Sequence, residues 1–195
     1  MITPKTSTLH WALLLSAVLS LNACTNLLNA VTREPFTPDP SETTIGTDID
    51  DWQMDTIIGV NLKKASPQLA SAHINVNTYN KVVLLTGEVA SREQRALAGS
   101  TARNYQGVRQ VYNELKLQGS SSLLARTNDS WLTTKLKTKL LANTDIVSGQ
   151  IEVVTEGGIV YLMGIVTHAT ADRAAAVASH TGGVVKVVRV FEYIN

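Results

Sequence analysis

One stretch of this sequence occurs twice. Residues 74–89 read INVNTYNKVVLLTGEV, and residues 151–166 repeat the pattern as IEVVTEGGIVYLMGIV, with Gly87 and Gly164 in register. A repeat of this length indicates two small domains of one fold. Differences between the two copies are then the places where function is expected.

The first 23 residues resemble a bacterial lipoprotein signal peptide. Lys5 gives a weakly basic start, and residues 11–21 form an apolar run too short to cross a bilayer as a helix. The run leads into Leu-Asn-Ala-Cys, which resembles a lipobox with Cys24 as the lipid-modified residue. Asn22 departs from the usual pattern of that signal. The alternative is an ordinary secretory signal cut nearby, with Cys24 incidental.

Acylation of Cys24 would hold the mature chain on a membrane without a transmembrane helix, since each buried methylene contributes about 0.8 kcal/mol. Thr25 follows the cysteine where aspartate is the usual inner-membrane retention signal, and this resemblance favours the outer membrane, facing the periplasm. Cys24 is also the only cysteine. An intramolecular disulfide and a cysteine metal cluster are therefore excluded.

Two polar segments predict flexible connections. Pro35, Pro38 and Pro40 lie among Thr, Ser, Glu and Asp in a stretch that buries too little apolar surface to fold, and a Gln-Gly-Ser-Ser-Ser segment separates the copies. The predicted divisions are a signal peptide (1–23), a lipid anchor and tether (24–47), a first domain (48–117), a linker (118–127) and a second domain (128–195).

The hydrophobic period changes in the same order in each copy. In the first copy, helical spacing predicts a helix over 51–65 with Asp50 or Asp51 as its cap, then a hairpin that turns at Asn80-Lys81. Ser91 begins a capping box that opens an alanine-rich helix, and a third strand follows.

The second copy predicts the same elements, with a first helix from residue 128 or 129 and a hairpin turn at Gly157-Gly158. We therefore expect an α+β fold of two tandem α-β-β-α-β domains, each with two helices on a three-stranded mixed sheet. Gly87 and Gly164 lie inside strands, where glycine marks a bulge or a close approach. Packing of a helix there is favoured over ligand binding.

The hairpin ending in Leu-x-Gly, the short helix, the glycine and the Val-x-x-Val strand together resemble the BON domain of bacterial envelope proteins. Two copies behind a lipobox resemble the dual-BON outer-membrane lipoproteins, and the match is closest over residues 128–135 and 161–166. This resemblance implies a non-enzymatic protein that supports outer-membrane integrity and gathers at division sites. It also implies binding of anionic phospholipid through the first helix of the second domain, and association with the barrel-assembly machinery.

The residues themselves indicate no catalytic or metal site. His73, His168 and His180 lie in different predicted elements without a partner at helical spacing, and the acidic residues are scattered. The glycine pairs lack the context of a phosphate-binding loop. With 17 basic and 16 acidic residues, the chain has no global charge that favours nucleic acid. We therefore expect no enzyme, no cofactor, no metal and no nucleic-acid partner.

The predicted first helix of the second copy has two different faces. Leu132, Leu136 and Leu140 cluster on one side and must face the sheet. Exposed indole and leucine beside lysines are typical of a helix at a membrane interface, where lysines meet anionic lipid. The predicted phospholipid-binding residues are Trp131, Thr134, Lys135, Lys137, Thr138, Lys139 and Leu141.

The first copy lacks this combination. Ile57 and Gly59 stand where the second copy has Lys135 and Lys137, and Trp52 falls one position before the equivalent of Trp131. The second domain is therefore the expected reader of phosphatidylglycerol or cardiolipin, and the first is a packing or partner module.

Two alternatives remain open for Trp131: packing against the first domain, or contact with a protein partner. The rival function is that of a periplasmic scaffold or chaperone-like module that binds envelope-assembly proteins, with lipid contact secondary.

Overall fold

The computed structural model describes residues 45–118 and 123–194. The signal peptide, Cys24 and nearly all of the predicted tether lie outside the described residues. Among the described helices, none combines the length and the hydropathy that crossing a membrane requires.

The first domain contains three helices and four strands. Its elements are α1 (Ile45–Ala65), α2 (Pro67–Ser71), β1 (His73–Tyr79), β2 (Val82–Val89), α3 (Arg92–Arg103), β3 (Gln110–Asn113) and β4 (Lys116–Leu117). The second domain repeats this order without the short helix and with an unbroken third strand. Its elements are α4 (Leu123–Leu141), β5 (Ile151–Glu156), β6 (Ile159–Thr167), α5 (His168–Ser179) and β7 (Lys186–Ile194), with a 3-10 turn at Ser148–Gln150.

Each sheet is mixed, as predicted. In the first domain β2 is central: it is antiparallel to β1 and parallel to β3 and to β4, which together occupy the third strand position. In the second domain β6 is central, antiparallel to β5 and parallel to β7. The helical crossover between the second and third strands makes the last pairing parallel. The two-domain α+β fold is therefore confirmed.

One face of each sheet is covered by that domain's own helices. In the first domain Met54, Ile58 and Leu62 of α1 pack with Val83 and Leu85 of β2. In the second domain the leucines of α4 pack with alternate residues of β5 and β6 in the same way. The predicted core positions Leu132, Leu136 and Leu140 are all buried.

The opposite faces of the two sheets pack against each other. Val82 and Leu84 of β2 form one apolar cluster with Tyr161 and Met163 of β6 and Val190 of β7. Each central strand is therefore buried on both faces, which the continuous apolar run of β2 indicates. Burial at this interface compensates for the small core of each domain.

The glycines of the repeat allow a close backbone approach. A Cβ atom on Gly87 would lie 2.1 Å from the His73 carbonyl oxygen, and one on Gly164 would lie 2.2 Å from that of Gln150. Both glycines also have positive φ. The close approach is confirmed, but the packed group is the backbone at the start of the first strand rather than a helix, because each glycine faces that strand in the ladder.

Both first helices begin earlier than predicted. Helix α1 starts at Ile45 and α4 at Leu123, so part of the segment predicted as linker (118–127) is helical. Asp51 therefore lies inside α1, and Asp129 inside α4. The prediction that Asp50 or Asp51 caps the first helix is wrong, and so is the predicted start of the second helix at residue 128 or 129.

These two aspartates join each first helix to its own hairpin. Asp51 accepts hydrogen bonds from the backbone amides of Asn80 at 2.5 Å and Lys81 at 2.9 Å. Asp129 accepts from the amides of the Gly157-Gly158 turn at 2.8 and 2.9 Å. All four turn residues have positive φ. Since both carboxylates are buried, the helix-to-turn contact is a shared structural feature of the repeat.

One half of the predicted capping box is present at the start of α3, with Ser91 as the N-cap. Ser91 accepts a hydrogen bond from the Gln94 amide at 3.3 Å, and the Gln94 side chain accepts one from the Ala90 amide at 2.9 Å. The Ser91 bond satisfies an amide that the helix leaves without a partner, whereas the Gln94 bond goes to the residue before the cap and not to the Ser91 amide.

Candidate functional site

The outer face of α4 carries the predicted binding residues. Trp131 is 58% exposed and Leu141 is 71% exposed, on the side of the helix away from its buried leucines. Thr134 and Thr138 lie exposed between them. We call these four residues, with the adjacent Lys135, Lys137 and Lys139, the Trp131 surface.

Trp131 does not pack against the first domain. Its indole is largely exposed with both domains in place, and the Lys135 ammonium lies 4.6 Å from the ring centroid. Packing at the domain interface, one of the alternatives left by the sequence, is therefore wrong. The cation–π contact instead combines a positive charge and an aromatic ring in one unit.

The two threonines of the surface have hydroxyls that the helix already satisfies. Thr134 Oγ1 donates to the Ser130 carbonyl at 3.1 Å, and Thr138 Oγ1 donates to the Thr134 carbonyl at 3.0 Å. A hydroxyl bonded back to the helix loses little when water is removed from the surface around it. The stripe between Trp131 and Leu141 therefore tolerates dehydration at an interface.

Each of the three lysine ammonium groups contacts a neighbouring group. Lys135 Nζ donates to the Gly182 carbonyl at 3.2 Å, and Lys139 Nζ donates to Thr181 Oγ1 at 3.0 Å. Lys137 pairs with Glu152 at 3.0 Å across an exposed contact. The ammonium groups are thus positioned along both sides of the stripe, and only that of Lys137 has its charge offset by a carboxylate in these contacts.

Two further features beside this surface were missed from the sequence. The loop that receives Lys135 and Lys139 carries Val185, which is 80% exposed. At the other end of α4, Leu141 lines a groove of about 230 Å³ with Ser148 and Ile151. The 3.6-residue period of a helix gives no information about loops, so only the glycine pair before Val185 marks this element in the sequence.

The equivalent surface of α1 is also apolar, contrary to the simple contrast expected from the sequence. Trp52 is 68% exposed, and Ile49, Ile57 and Val60 are exposed as well. Ile49 was missed because the helix was predicted to begin after it. Helix α1 has Ile57, Gly59 and Asn61 at the positions of the three lysines, and exposed Asp48 and Asp50 near its start. The two helices therefore differ in charge more than in apolar exposure.

The three histidines of the described residues have different surroundings. His168 stacks on Tyr193 with ring centroids 4.0 Å apart, and His180 lies against the Ala176 carbonyl. His73, in contrast, lies near two buried carboxylates, Glu88 and Glu156, with ligand atoms of all three side chains within 4.8 Å of one another. The expectation that these residues are scattered is therefore wrong at this position.

Burial raises the pKa of the Glu156 carboxyl, and the nearby His73 and Asn75 partly offset this effect. The sequence alone does not give this cluster, because Glu156 reaches it from the second domain.

Both domains of the chain match a known protein family. The BON domain model matches residues 51–119 and again 128–195. The chain belongs to the BON-domain family. The two matches coincide with the two domains of the structure, and most of the described residues fall within them.

Three relatives extend this assignment. The chain is 35% identical over 187 residues to outer membrane lipoprotein DolP of Haemophilus influenzae, covering 94% of this chain and 95% of that protein. It is 37% identical to a 21 kDa hemolysin of Actinobacillus pleuropneumoniae, covering 77% of each chain. It is 34% identical to osmotically-inducible protein Y of Escherichia coli, covering 61% of each. This BON protein is therefore a dual-BON outer-membrane lipoprotein.

Proposed function

We propose that this lipoprotein is acylated at Cys24, is not an enzyme, and binds anionic phospholipid of the outer membrane through the Trp131 surface. The observation that supports the proposal is the joint exposure of Trp131 and Leu141 on one helix face between positioned lysines. Indole favours the headgroup region of a bilayer, and lysines beside it are attracted to anionic lipid. Through this contact the protein would support membrane integrity.

The expected affinity is modest. Each lysine near an anionic surface contributes about 1 kcal/mol, and partial burial of Trp131 and Leu141 adds roughly 2 to 4 kcal/mol. An acylated Cys24 would keep the helix at a high local concentration near the bilayer, so weak contact is sufficient. The surface would then select lipids, while the acyl chains anchor the protein.

Flotation with vesicles tests the proposal. The chain from residue 24 with Cys24→Ser, which has no acyl anchor, is mixed with phosphatidylcholine vesicles with and without phosphatidylglycerol or cardiolipin. We expect binding only to the anionic vesicles. Trp131→Glu should abolish it while leaving the Tm nearly unchanged, because the indole is mostly outside the core.

Trp52→Glu is the matched control, since Trp52 is exposed at the corresponding region of α1. It should retain binding. Equal loss in both variants would show unspecific adsorption of exposed aromatics, and a Tm that falls by many degrees in Trp131→Glu would show a packing role; either result contradicts the proposal.

A second candidate function rests on α1. Its exposed Ile49, Trp52 and Val60 share the helix with exposed aspartates near its start, and its two lysines lie in its last turn. This composition suits a protein partner better than an anionic membrane. The candidate is a scaffold that binds envelope-assembly proteins through the first domain. If Trp52→Glu removes co-purification of such a protein while Trp131→Glu does not, this candidate is supported. Association with the barrel-assembly machinery and enrichment at division sites stay predictions.

A further inference from the structure

Three potential metal ligands meet where the two domains pack. His73 and Glu88 are direct partners in the β1–β2 ladder. Glu156 is the last residue of β5 in the second domain. The His73 Nε2 and Glu156 Oε1 atoms are 3.6 Å apart, and one ligand atom from each of the three side chains lies within 4.8 Å of the others.

The two carboxylates are buried to an unusual degree. Glu88 is 3% exposed and Glu156 is 4% exposed. Within the described residues, Glu156 Oε1 receives no hydrogen bond, whereas its Oε2 accepts one from Asn75 Nδ2 at 2.7 Å. A buried carboxylate is costly unless a cation or hydrogen-bond donors compensate it. The Oε1 atom faces His73 Nε2 at 3.6 Å without a hydrogen bond, so a cation bound between these two atoms would compensate its charge.

The set of ligands indicates which ion fits. One imidazole nitrogen and two carboxylates, with a remaining position for water, are typical of Zn²⁺ and related transition metals, whereas Mg²⁺ and Ca²⁺ prefer oxygen ligands alone. Zinc bonds of about 2.1 Å place neighbouring ligands of a tetrahedral ion about 3.4 Å apart. The His73–Glu156 separation of 3.6 Å is close to this spacing, and the ligand atoms of all three side chains lie within 4.8 Å of one another.

The surroundings also suit a bound cation. Asn75 holds the Glu156 carboxylate by its second oxygen, as outer-shell partners do for metal ligands. A cavity of about 250 Å³ lined by His73 and Glu156 gives access from solvent. Asp129 lines it too, but its carboxylate is engaged by the hairpin amides. Arg126 also lines the cavity, so a cation must be held by direct coordination rather than by net charge.

We propose that His73, Glu88 and Glu156 form a zinc-class site that joins the two BON domains. Two ligands come from the first domain and one from the second, so a bound ion links the sheets at the edge of their shared apolar cluster. Because the ion binds the assembled interface, it stabilises the folded pair of domains over separated ones.

Zinc titration of the metal-stripped protein tests the site. The chain from residue 24 with Cys24→Ser and without a polyhistidine tag is titrated calorimetrically with ZnCl₂, with MgCl₂ as the comparison ion. We expect one Zn²⁺ per chain, a Tm raised by about 5 °C at saturation, and no response to Mg²⁺.

Glu156→Gln removes one ligand while keeping the side-chain shape, and it should weaken Zn²⁺ binding at least tenfold. Glu152→Gln, on the same strand but exposed, is the control and should bind as the unmodified chain does. Should Glu156→Gln fail to fold, His73→Asn is the second variant, because the His73 side chain is partly exposed.

Shift of the His73 imidazole NMR signals on zinc addition reports the site directly. Absence of zinc binding, or binding that is unchanged in Glu156→Gln or His73→Asn and leaves the His73 signals in place, would overturn the proposal.

Discussion

The first helices of the two domains occupy the same place in the fold and present different outer faces. Both bury three apolar residues against their sheet, and both expose a tryptophan, Trp52 on α1 and Trp131 on α4. Helix α4 adds three lysines, whereas α1 has uncharged residues at those positions and two exposed aspartates near its start. Apolar exposure is therefore common to the copies, and charge distinguishes them.

The contacts inside each domain, in contrast, are nearly the same in the two copies. In each domain a buried aspartate of the first helix holds the amides of the hairpin turn. In each, a strand glycine makes room for a backbone carbonyl. Duplication has thus retained the contacts that define the fold and varied the surfaces that meet partners.

The largest effects are expected from the strand glycines. Gly87→Ala or Gly164→Ala would place a Cβ atom 2.1 or 2.2 Å from a backbone oxygen, so the hairpin must shift. We expect losses of about 3 kcal/mol or more in the free energy of unfolding, measured by urea denaturation. Gly59→Ala and Gly149→Ala are the controls, since their Cβ atoms meet nothing within 4 Å. If one of the two strand glycines tolerates alanine and the other does not, the copies are not structurally equivalent.

The aspartate contacts come next. Asp51→Ala and Asp129→Ala each remove two charge-assisted hydrogen bonds, at a cost of about 3 kcal/mol. We expect the larger loss for Asp51, because its turn contains Asn80 and Lys81 at positive φ, whereas the turn at Asp129 consists of glycines. Hydrogen exchange resolves the two hairpins separately. Asp50→Ala, at an exposed neighbour, should change little, and losses below 1 kcal/mol at both aspartates would contradict the structural role.

Periodicity in the sequence was sufficient for most of the fold. Alternation and helical spacing predicted the hairpins, the mixed sheets and the exposure of Trp131 and Leu141, but not which hairpin strand is central. The early helix starts escaped prediction because the added turns contain Gly46 and Thr47, or Leu123 and Leu124 beside a serine run, with no amphipathic pattern of their own. Tertiary packing of the later turns stabilises these helix starts.

The contacts between the two domains were the hardest to predict from the sequence. The His73–Glu88 pairing follows from a two-residue turn at Asn80-Lys81, since that turn fixes the hairpin register. The position of Glu156 beside this pair does not follow from the sequence, because it depends on how the two sheets pack. The continuous apolar run of β2 indicates burial on both faces, but it does not identify the second domain as the covering surface.

A graft of the α4 charges onto α1 gives a smaller but more specific test. Gln53→Trp, Ile57→Lys, Gly59→Lys and Asn61→Lys place the tryptophan and the three lysines of the Trp131 surface at the equivalent positions of α1. The chain that receives them has its own surface disabled by Trp131→Glu. Each lysine contributes about 1 kcal/mol at an anionic surface. We therefore expect vesicle affinity to recover roughly 10- to 100-fold in flotation. The same graft with glutamates in place of the lysines should recover nothing, and recovery there would show that charge does not distinguish the copies.

The smallest effect is expected from a partly buried polar position that both first helices share, Asp55 in α1 and Thr133 in α4. Burial raises the pKa of Asp55 in α1 to about 7, and contact with Thr78 only partly offsets this. At the equivalent position of α4, Thr133 instead donates to Thr155 at 2.8 Å and carries no charge. The Asp55 pKa is higher in the folded than in the unfolded chain. Between about pH 4 and pH 7 the Asp55 carboxyl is therefore protonated in the folded chain and ionised in the unfolded chain. Stability contributed by Asp55 is therefore greatest below pH 4 and is lost as the pH rises to about 7.

Asp55→Thr, which copies the second domain, should flatten this decline, whereas Asp50→Thr at an exposed site should not. The side chain is only partly buried, so solvent screening keeps the change modest. Urea midpoints between pH 4.5 and 7.5 measure it, and hydrogen exchange assigns it to the first domain. An unchanged pH slope in Asp55→Thr would mean that Asp55 ionises freely and that the two helices do not differ beneath their surfaces.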